Sequence, residues 1–311
     1  MQTILGANGQ IADELAKELH GRFATDIRLV SRNPRKVNAA DNLHAANLLD
    51  AEATSGAVKG SQIAYLTVGL PMDSRLWEEQ FPVIMRNVIA ACRKHACKLV
   101  FFDNTYMYAK TSEPQTEKSP FAPVGRKSNV RAKIAEMLLG EMAKGNIEAV
   151  ICRAPEFYGS GRTQSLTNTM IFEKIRAHAR LNVPMDAHKK RTLIWTPDAS
   201  RAMALIGNSP EAFHQTWHLP CDDNRLTYAE LIALAENLCR RRLPYRVLGA
   251  WVFKLAGLFQ QPSREIQELL PRYQCDNIFI SDRFKQKFPG FKVTTYQEGM
   301  SCILNQKEAR R

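Results

Sequence analysis

The first twelve residues constrain the fold of this chain more than any other stretch does. Residues 3–5 form a short apolar run that predicts a buried strand, and the run breaks at Gly6. A helical pattern of apolar side chains follows, at Ala12, Leu15, Ala16 and Leu19. A strand, a glycine turn and a helix in that order leave backbone N–H groups and the positive end of a helix dipole facing outward, and both attract phosphate.

The small residues of this turn suit a dinucleotide. Gly6 can adopt a tight turn, Gly9 has no Cβ to keep a pyrophosphate from its backbone, and Ala12 lets the helix pack closely on the strand. An ordinary glycine-rich turn is the alternative, but the position directly after the first strand favours the dinucleotide. We therefore assign the turn to a cofactor site comprising Gly6, Asn8, Gly9, Gln10 and Ile11.

A basic cluster follows the second predicted strand, residues 26–31. Proteins selective for NAD place a carboxylate at this strand end, whereas an arginine there suits the 2′-phosphate of NADP. Here Ser31 is followed by Arg32, Arg35 and Lys36, with no carboxylate among them. Arg32 can hydrogen-bond a phosphate while it stacks on adenine. We predict that Ser31, Arg32 and Arg35 contact the cofactor and that NADP is preferred over NAD; a solvated basic loop is the alternative.

The chain continues as strands alternating with helices. Residues 62–69, 98–102 and 147–152 read as strands, and residues 74–95, interrupted by Pro82, and 125–144 read as helices. This alternation predicts an α/β fold, a Rossmann-like doubly wound parallel sheet, with ligands at the carboxyl ends of its strands.

Beyond residue 155 the periodicity loosens. Residues 216–220 read as a strand and residues 227–242 as a helix, with Thr227 and Glu230 in capping-box positions. We expect residues 1–155 to form the dinucleotide-binding core. Residues 156–311 should form mainly a smaller C-terminal α/β substrate subdomain, with some segments returning to the core.

The G-x-x-G-x-x-A spacing resembles the opening of the short-chain dehydrogenase/reductase superfamily, in particular its extended and atypical, NAD-dependent epimerase/dehydratase-like branches. Residues 45–50 resemble the family's G-D-x-x-D segment, with Asn47 in place of the first acid, and residues 153–159 resemble its R-x-x-x-x-Y-G segment. The resemblance extends to about residue 299. It implies further cofactor contacts from Asn47, Leu48, Val68 and Gly69.

Family members usually carry a Ser/Thr, a Tyr and a Lys, the last two as Y-x-x-x-K on one helix face. Lys133 matches the lysine, which the resemblance places on the nicotinamide ribose. Asn129 occupies the tyrosine position and Asn104 the Ser/Thr position. The usual catalytic tyrosine is therefore missing, and an amide is no general acid near neutral pH. A surface lysine is the alternative reading of Lys133.

Other proton donors lie close by in the sequence. Tyr106 follows Asn104 by two residues and is our candidate, and Tyr108 is a second; a role as an aromatic pocket wall is open for both. For Asp103, on the same predicted loop, we expect a solvated carboxylate.

The resemblance implies an NAD(P)-dependent oxidoreductase or epimerase/dehydratase-like enzyme that acts on a carbonyl or hydroxyl group of a small molecule, a class that includes sugar nucleotides. The missing tyrosine favours the alternative of a non-enzymatic NADP(H)-binding sensor or regulatory protein. Related enzymes dimerise through helices that match residues 74–95 and 125–144, so a homodimer is expected.

Composition narrows the remaining possibilities. The net charge of +12 over 311 residues comes from dispersed basic side chains, so no nucleic-acid partner is expected. The seven cysteines are scattered without a C-x-x-C pair, which indicates reduced thiols in a cytoplasmic protein, and no metal-ligand spacing appears. The most apolar stretch, residues 247–259, contains Lys254 and is too short to span a bilayer, so no membrane partner is expected.

Overall fold

The computed structural model describes residues 1–161, 163 and 165–305. Its strands are β1 (Gln2–Leu5), β2 (Ile27–Ser31), β3 (Asn42–Ala45), β4 (Ile63–Leu66), β5 (Lys98–Asp103), β6 (Ala149–Arg153), β7 (Glu156–Tyr158), β8 (Leu181–Pro184), β9 (Lys190–Arg191), β10 (Leu193–Trp195), β11 (Thr216–His218), β12 (Leu226–Thr227) and β13 (Tyr245–Leu248).

The α-helices are α1 (Gln10–Arg22), α2 (Ala51–Val58), α3 (Ser74–Lys94), α4 (Arg126–Ala143), α5 (Glu173–Arg176), α6 (Thr196–Gly207), α7 (Tyr228–Cys239), α8 (Ala250–Phe259), α9 (Gln261–Ile266), α10 (Asp282–Lys287) and α11 (Tyr296–Asn305). A π-helical turn covers Asn168–Phe172, and 3₁₀ turns cover Pro210–Ala212 and Gln267–Tyr273.

The chain divides into two compact units that interleave along the sequence. Unit 1 consists of Met1–Met107, Phe121–Ala154 and Ala199–Leu219. Unit 2 consists of Tyr108–Pro120, Pro155–Asp198 and Pro220–Arg311.

Unit 1 contains a seven-stranded sheet in the order β11-β6-β5-β4-β1-β2-β3, and every neighbouring pair is parallel. The predicted α/β fold with a doubly wound parallel sheet is confirmed. Its inner strands β1 and β4 are buried at every position. Burial on both faces explains the continuous apolar run of β4, whereas β1 buries the polar Gln2 and Thr3 ahead of Ile4 and Leu5. The chain winds outward from β1 to β3 and returns to β4, so the strand order reverses between β1 and β4. Ligands of open α/β sheets bind at such a reversal, beyond the carboxyl ends of the strands.

Helix α3 differs from its prediction, because it continues without a break through Pro82. Proline removes one backbone hydrogen bond from a helix interior and normally kinks or ends it. Here Pro82 is buried, as are Phe81 and Ile84 near it, so the proline belongs to the packed side of the helix. Helices α3 and α4 pack together within unit 1.

Unit 2 is built from three two-stranded pairs, β7 with β10, β8 with β13 and β9 with β12, and from short helices around its own apolar core. Thr227 and Glu230 form the predicted capping box at the start of α7. The helix ends at Cys239 and not at residue 242, because Arg240 adopts a left-handed conformation with φ 51°.

Candidate cofactor and active site

Gly6 is required by the backbone at the end of β1. Its φ is +106°, and a Cβ at this position would lie 2.7 Å from the backbone nitrogen of Val68, just beyond β4. The N–H groups of Gly6 and Ala7 both donate to the carbonyl of Val30 at the end of β2, each at 2.9 Å. The turn is thus fixed against β2 and β4 at the reversal of the sheet, and any larger residue at position 6 would disturb it.

Gly9 occupies a different environment. It is the exposed N-cap of α1, its φ is −90°, and the nearest atom to a Cβ placed there is the carbonyl oxygen of Gly6 at 3.8 Å. The fold therefore leaves room for a side chain, and none is present to cap the helix. The space that a Cβ would fill therefore lies open at a helix N-terminus, an environment that favours an anion, and the pyrophosphate site stays a prediction.

Asn8 links this turn to the basic loop that follows β2. Its φ is +74°, a left-handed conformation that asparagine tolerates better than most residues. Its side-chain amide donates to the carbonyl of Asn33 at 2.7 Å and to Ser31 Oγ at 3.3 Å, and its Oδ1 accepts from the N–H of Arg35 at 3.0 Å. The sequence pattern did not reveal this role in shaping the loop.

The basic loop presents its cations outward. The Asp41 side chain accepts from the N–H groups of Val37 and Asn38 and so fixes the backbone at the end of this loop. Arg32 and Arg35 are both exposed. Strand β2 itself ends at Ser31 with no acidic residue, while Asp13 of α1 lies near enough to Arg35 to interact with its charge.

The other predicted cofactor contacts lie at the ends of β3 and β4. Asn47 is exposed, and its Oδ1 accepts from the N–H of Leu49. Leu48 is buried in the core, and its carbonyl accepts from Asn87 of α3 at 3.0 Å. Val68 packs against the core, whereas Gly69 is exposed with open space around it.

Asp103 corrects the expectation of a solvated loop carboxylate, because it is buried at the last position of β5. Its Oδ1 accepts from both Nε and Nη2 of Arg131 on α4, and its Oδ2 accepts from Nε of Arg153 on β6 at 3.2 Å. The two guanidinium groups lie over aromatic rings, Arg131 over Phe101 at 5.3 Å and Arg153 over Phe121 at 5.1 Å. Phe102 and Asp103 thereby end β5 beside two buried cations, which no local pattern would show.

Hydrogen bonds and one ring stack position the residues that follow Asp103. The Asn104 N–H donates to Asp103 Oδ1 at 2.8 Å, and the Oδ1 of Asn104 accepts from the N–H of Tyr106 at 3.0 Å. The half-buried ring of Tyr106 stacks on Trp77, with 6.1 Å between ring centroids and 9° between their planes. Tyr108 is buried in unit 2, and its hydroxyl donates to the carbonyl of Thr116 at 3.2 Å. This favours a structural role for Tyr108.

Helix α4 turns a different pair of residues inward from the one that the sequence singles out. Lys127 and Arg131, spaced i and i+4, are buried; Lys127 Nζ donates to Ser74 Oγ at 2.7 Å. Asn129 and Lys133 are exposed, and the Asn129 side-chain amide donates to the carbonyl of Gly125, four residues earlier in the chain. The inward pair follows the apolar stripe of Val130, Ile134 and Leu138, which is the signal that would have found it.

The model of the NAD dependent epimerase/dehydratase family matches residues 3–218. The chain belongs to that family. Comparison with curated protein sequences gives no match.

Solved structures of similar fold cover almost the whole chain. UDP-glucuronic acid 4-epimerase from Bacillus cereus, in complex with UDP-glucuronic acid and NAD, has a TM-score of 0.79 at 12% identity, with 99% of this chain and 100% of that one covered. UDP-glucose 4-epimerase from Thermus thermophilus, in complex with NAD, gives 0.77 at 14%, with 99% and 100% covered. The dTDP-glucose 4,6-dehydratase from Streptomyces venezuelae gives 0.78 at 12%, with 98% and 95% covered.

The residues predicted for catalysis lie at two places in unit 1. Of the residues predicted for catalysis, the structure brings Asn104 and Tyr106 together by a direct hydrogen bond. It places Asn129 and Lys133 on the exposed side of α4. Their assignment to the family's tyrosine and lysine positions stays a prediction. The i, i+4 pair Lys127 and Arg131 was missed, and Arg131 binds the residue next to Asn104.

We expect Gly9→Val and Gly6→Val to have different effects. Gly9→Val should fold, with a melting temperature within a few degrees of wild type, but should lose dinucleotide binding, because its side chain fills the cradle. Gly6→Val should fail to fold, because its Cβ would clash with Val68. Thermal unfolding and titration calorimetry with NADPH measure both effects. Unchanged NADPH affinity in folded Gly9→Val would rule this cradle out.

Asp103→Asn should lower the free energy of unfolding by about 3–5 kcal/mol, because it leaves two buried guanidinium groups without their counter-charge. The control is Asp26→Asn, which changes an exposed carboxylate and should shift the value by no more than about 0.5 kcal/mol. Urea unfolding followed by circular dichroism compares the two variants. Equal effects of both substitutions would show that the Asp103 ion pairs do not stabilise unit 1.

Proposed function

We propose that this protein binds NADP(H) at the turn between β1 and α1 and acts as an oxidoreductase or epimerase/dehydratase on a small molecule with a hydroxyl or carbonyl group. The contrast between its two glycines carries the proposal. The fold needs Gly6, whereas at Gly9 the same fold leaves a helix N-terminus open and without a side chain. Such a site suits the pyrophosphate of a dinucleotide.

The chain's own residues fit the parts of the cofactor. The backbone from Gly6 to Gly9, with Gln10 and Ile11 opening α1, would hold the pyrophosphate, and the adenosine end would lie toward the basic loop. Asn47 and Leu48 would border the adenine, and Val68 and Gly69 the path toward the nicotinamide. Lys133 stays our candidate for the nicotinamide ribose. When bound, the nicotinamide ring supplies or takes up a hydride.

The preference for NADP(H) rests on charge at one position. Arg32 and Arg35 follow β2 with outward-facing side chains, and Asn8 fixes the backbone of their loop. A guanidinium pairs with a phosphate through charge-assisted hydrogen bonds worth roughly 1.5–3 kcal/mol each. NAD offers only a hydroxyl at this point, so the expected preference for NADP(H) is about tenfold or more.

Arg32→Ala should weaken NADPH binding about tenfold and leave NADH binding nearly unchanged. Lys17→Ala is the matched control, since Lys17 is an exposed cation on α1 that pairs with Glu14. Calorimetry with both cofactors on both variants makes the comparison. If wild type binds the two cofactors equally, or if Arg32→Ala loses both equally, the basic loop does not select the phosphate.

The substrate class that we propose is a sugar nucleotide. By their names, the three structures compared above act on UDP- or dTDP-sugars. The net charge of +12 also favours encounter with an anionic substrate. Among candidate proton donors, Tyr106 is supported by its position: its backbone is fixed by Asn104 and its ring by Trp77.

A measurement of turnover distinguishes the proposed enzyme from the alternative, a cofactor-binding sensor. The exposed amide of Asn129 favours the sensor. Wild type is incubated with NADPH or NADP and a panel of sugar nucleotides, and reaction is followed by absorbance at 340 nm and by product chromatography, because an epimerase regenerates its cofactor. Tyr106→Phe should lower kcat by about a hundredfold or more while NADPH binding persists. Cofactor binding without turnover of any panel member would favour the sensor.

We also propose a homodimer built on α3 and α4, the helices through which related enzymes dimerise. Both helices carry exposed charged residues, and the Arg126–Glu78 pair joins them within one chain. Light scattering at micromolar concentration measures the state, and a monomer would contradict it. A cytoplasmic location is supported by the seven cysteines, which are all free thiols.

A further inference from the structure

Helix α8 in unit 2 exposes an apolar face. Trp251, Leu255, Leu258 and Phe259 are 71%, 54%, 75% and 83% exposed. Their spacing of i, i+4, i+7 and i+8 places them on one side of the helix. Four large apolar side chains that are contiguous and this exposed mark an interaction surface on a folded protein.

The opposite side of α8 is anchored in unit 2. Phe253 is buried in the unit's core, and its carbonyl accepts from Gln267 Nε2 at 3.1 Å. Gly257 is buried as well, and a Cβ there would lie 3.2 Å from the Cα of Arg264. The inner side of α8 is therefore already packed, and the exposed apolar face takes no part in the core of unit 2.

Basic residues outnumber acidic ones around this face. Residues 240–268 contain two acidic residues, Glu265 and Glu268, and six basic ones: Arg240, Arg241, Arg242, Arg246, Lys254 and Arg264. Of the six basic residues, all except Arg241 are exposed. Lys254 lies on α8 itself, and Arg264 packs beside its Gly257. An exposed apolar face in a segment of net positive charge matches a partner that is apolar within and negatively charged at its surface.

We propose that α8 docks on an anionic phospholipid surface, with its apolar face in the boundary between headgroups and acyl chains and its cations on the phosphates and carboxylates. Tryptophan beside leucine and phenylalanine, with lysine and arginine at the border, is the composition of an interfacial helix. Each basic side chain near an anionic leaflet adds to the binding. A second copy fits less well, since a symmetric contact would bring the same cations face to face.

The helix lies on the bilayer in this proposal and does not cross it. Helix α8 has ten residues, and within the described part of the chain no helix is long and apolar enough to span a membrane. The proposal departs from the sequence-based expectation of no membrane partner, because the sequence shows how apolar the segment is but not which side of it remains exposed. It is also independent of the proposed cofactor chemistry, which concerns unit 1.

The test is co-sedimentation of the full-length protein with vesicles of phosphatidylcholine, with and without phosphatidylserine. Wild type should bind the vesicles that contain phosphatidylserine, should release them at molar salt, and should show a blue shift of its tryptophan fluorescence on binding. No binding to phosphatidylserine vesicles, or equal binding to both kinds at all salt concentrations, would overturn the proposal.

Two variants separate the face from the rest of the surface. The double substitution Leu258→Glu and Phe259→Glu should lower vesicle binding about tenfold or more, because it removes two anchors and adds negative charge. The control is Val124→Glu, which changes an exposed apolar side chain in unit 1 and should bind vesicles as wild type does. Thermal unfolding verifies that both variants fold.

Light scattering of the double variant adds a separate outcome. If wild type is an oligomer in solution and the double variant has a smaller mass, the face is an interface between copies and the lipid proposal fails. If the variant keeps the mass of wild type and loses only vesicle binding, the lipid surface is supported.

Discussion

The carboxylate of Asp103 joins three elements of unit 1. It ends β5, accepts from Arg153 on the neighbouring β6, and accepts from Arg131 on α4, which packs against α3. Ion pairs of this kind offset the desolvation of their members only when the geometry is good, so their removal costs far more than their presence contributes. A well-packed apolar trio would give comparable stability. The ion pairs instead fix the orientation of the groups that they join, because each guanidinium can meet the carboxylate in only a few orientations.

That fixed orientation extends into residues 104–106, which directly follow β5. Asp103 holds the N–H of Asn104, Asn104 holds the N–H of Tyr106, and Trp77 holds the ring of Tyr106. The loop therefore takes its shape from the buried charges before any substrate is present. Residues placed in this way need little further ordering on binding, which is the main structural requirement of an active-site loop.

Much of the fold was readable from the sequence because parallel strands buried on both faces appear as continuous apolar runs. The turn at Gly6 and the capping box of Thr227 and Glu230 were also readable, because each depends on residues close together in the chain. The inward pair on α4 was not, because the i, i+4 spacing of Lys127 and Arg131 is shared by Asn129 and Lys133. Only the apolar stripe of the helix distinguishes the two pairs.

The burial of Asp103 depends on Arg153, fifty residues away in the chain, and no local pattern contains that information. The exposed face of α8 escaped for a related reason. The sequence shows that this helix segment is largely apolar, but only the structure shows that Phe253 and Gly257 take the inner side and leave Trp251 outside.

Asn8 joins the glycine turn to the basic loop through hydrogen bonds. With two hydrogen bonds it holds the backbone at Asn33 and Arg35, and with a third it contacts Ser31 Oγ, although it contributes no charge. In the proposed NADP(H) site its contribution would be entropic, because a loop that is already ordered loses little freedom when a phosphate arrives. An attempt to engineer the proposed selectivity would therefore have to change more than the arginines. A carboxylate introduced at the end of β2 would inherit a loop whose shape is set by Asn8, in the turn after the neighbouring strand β1.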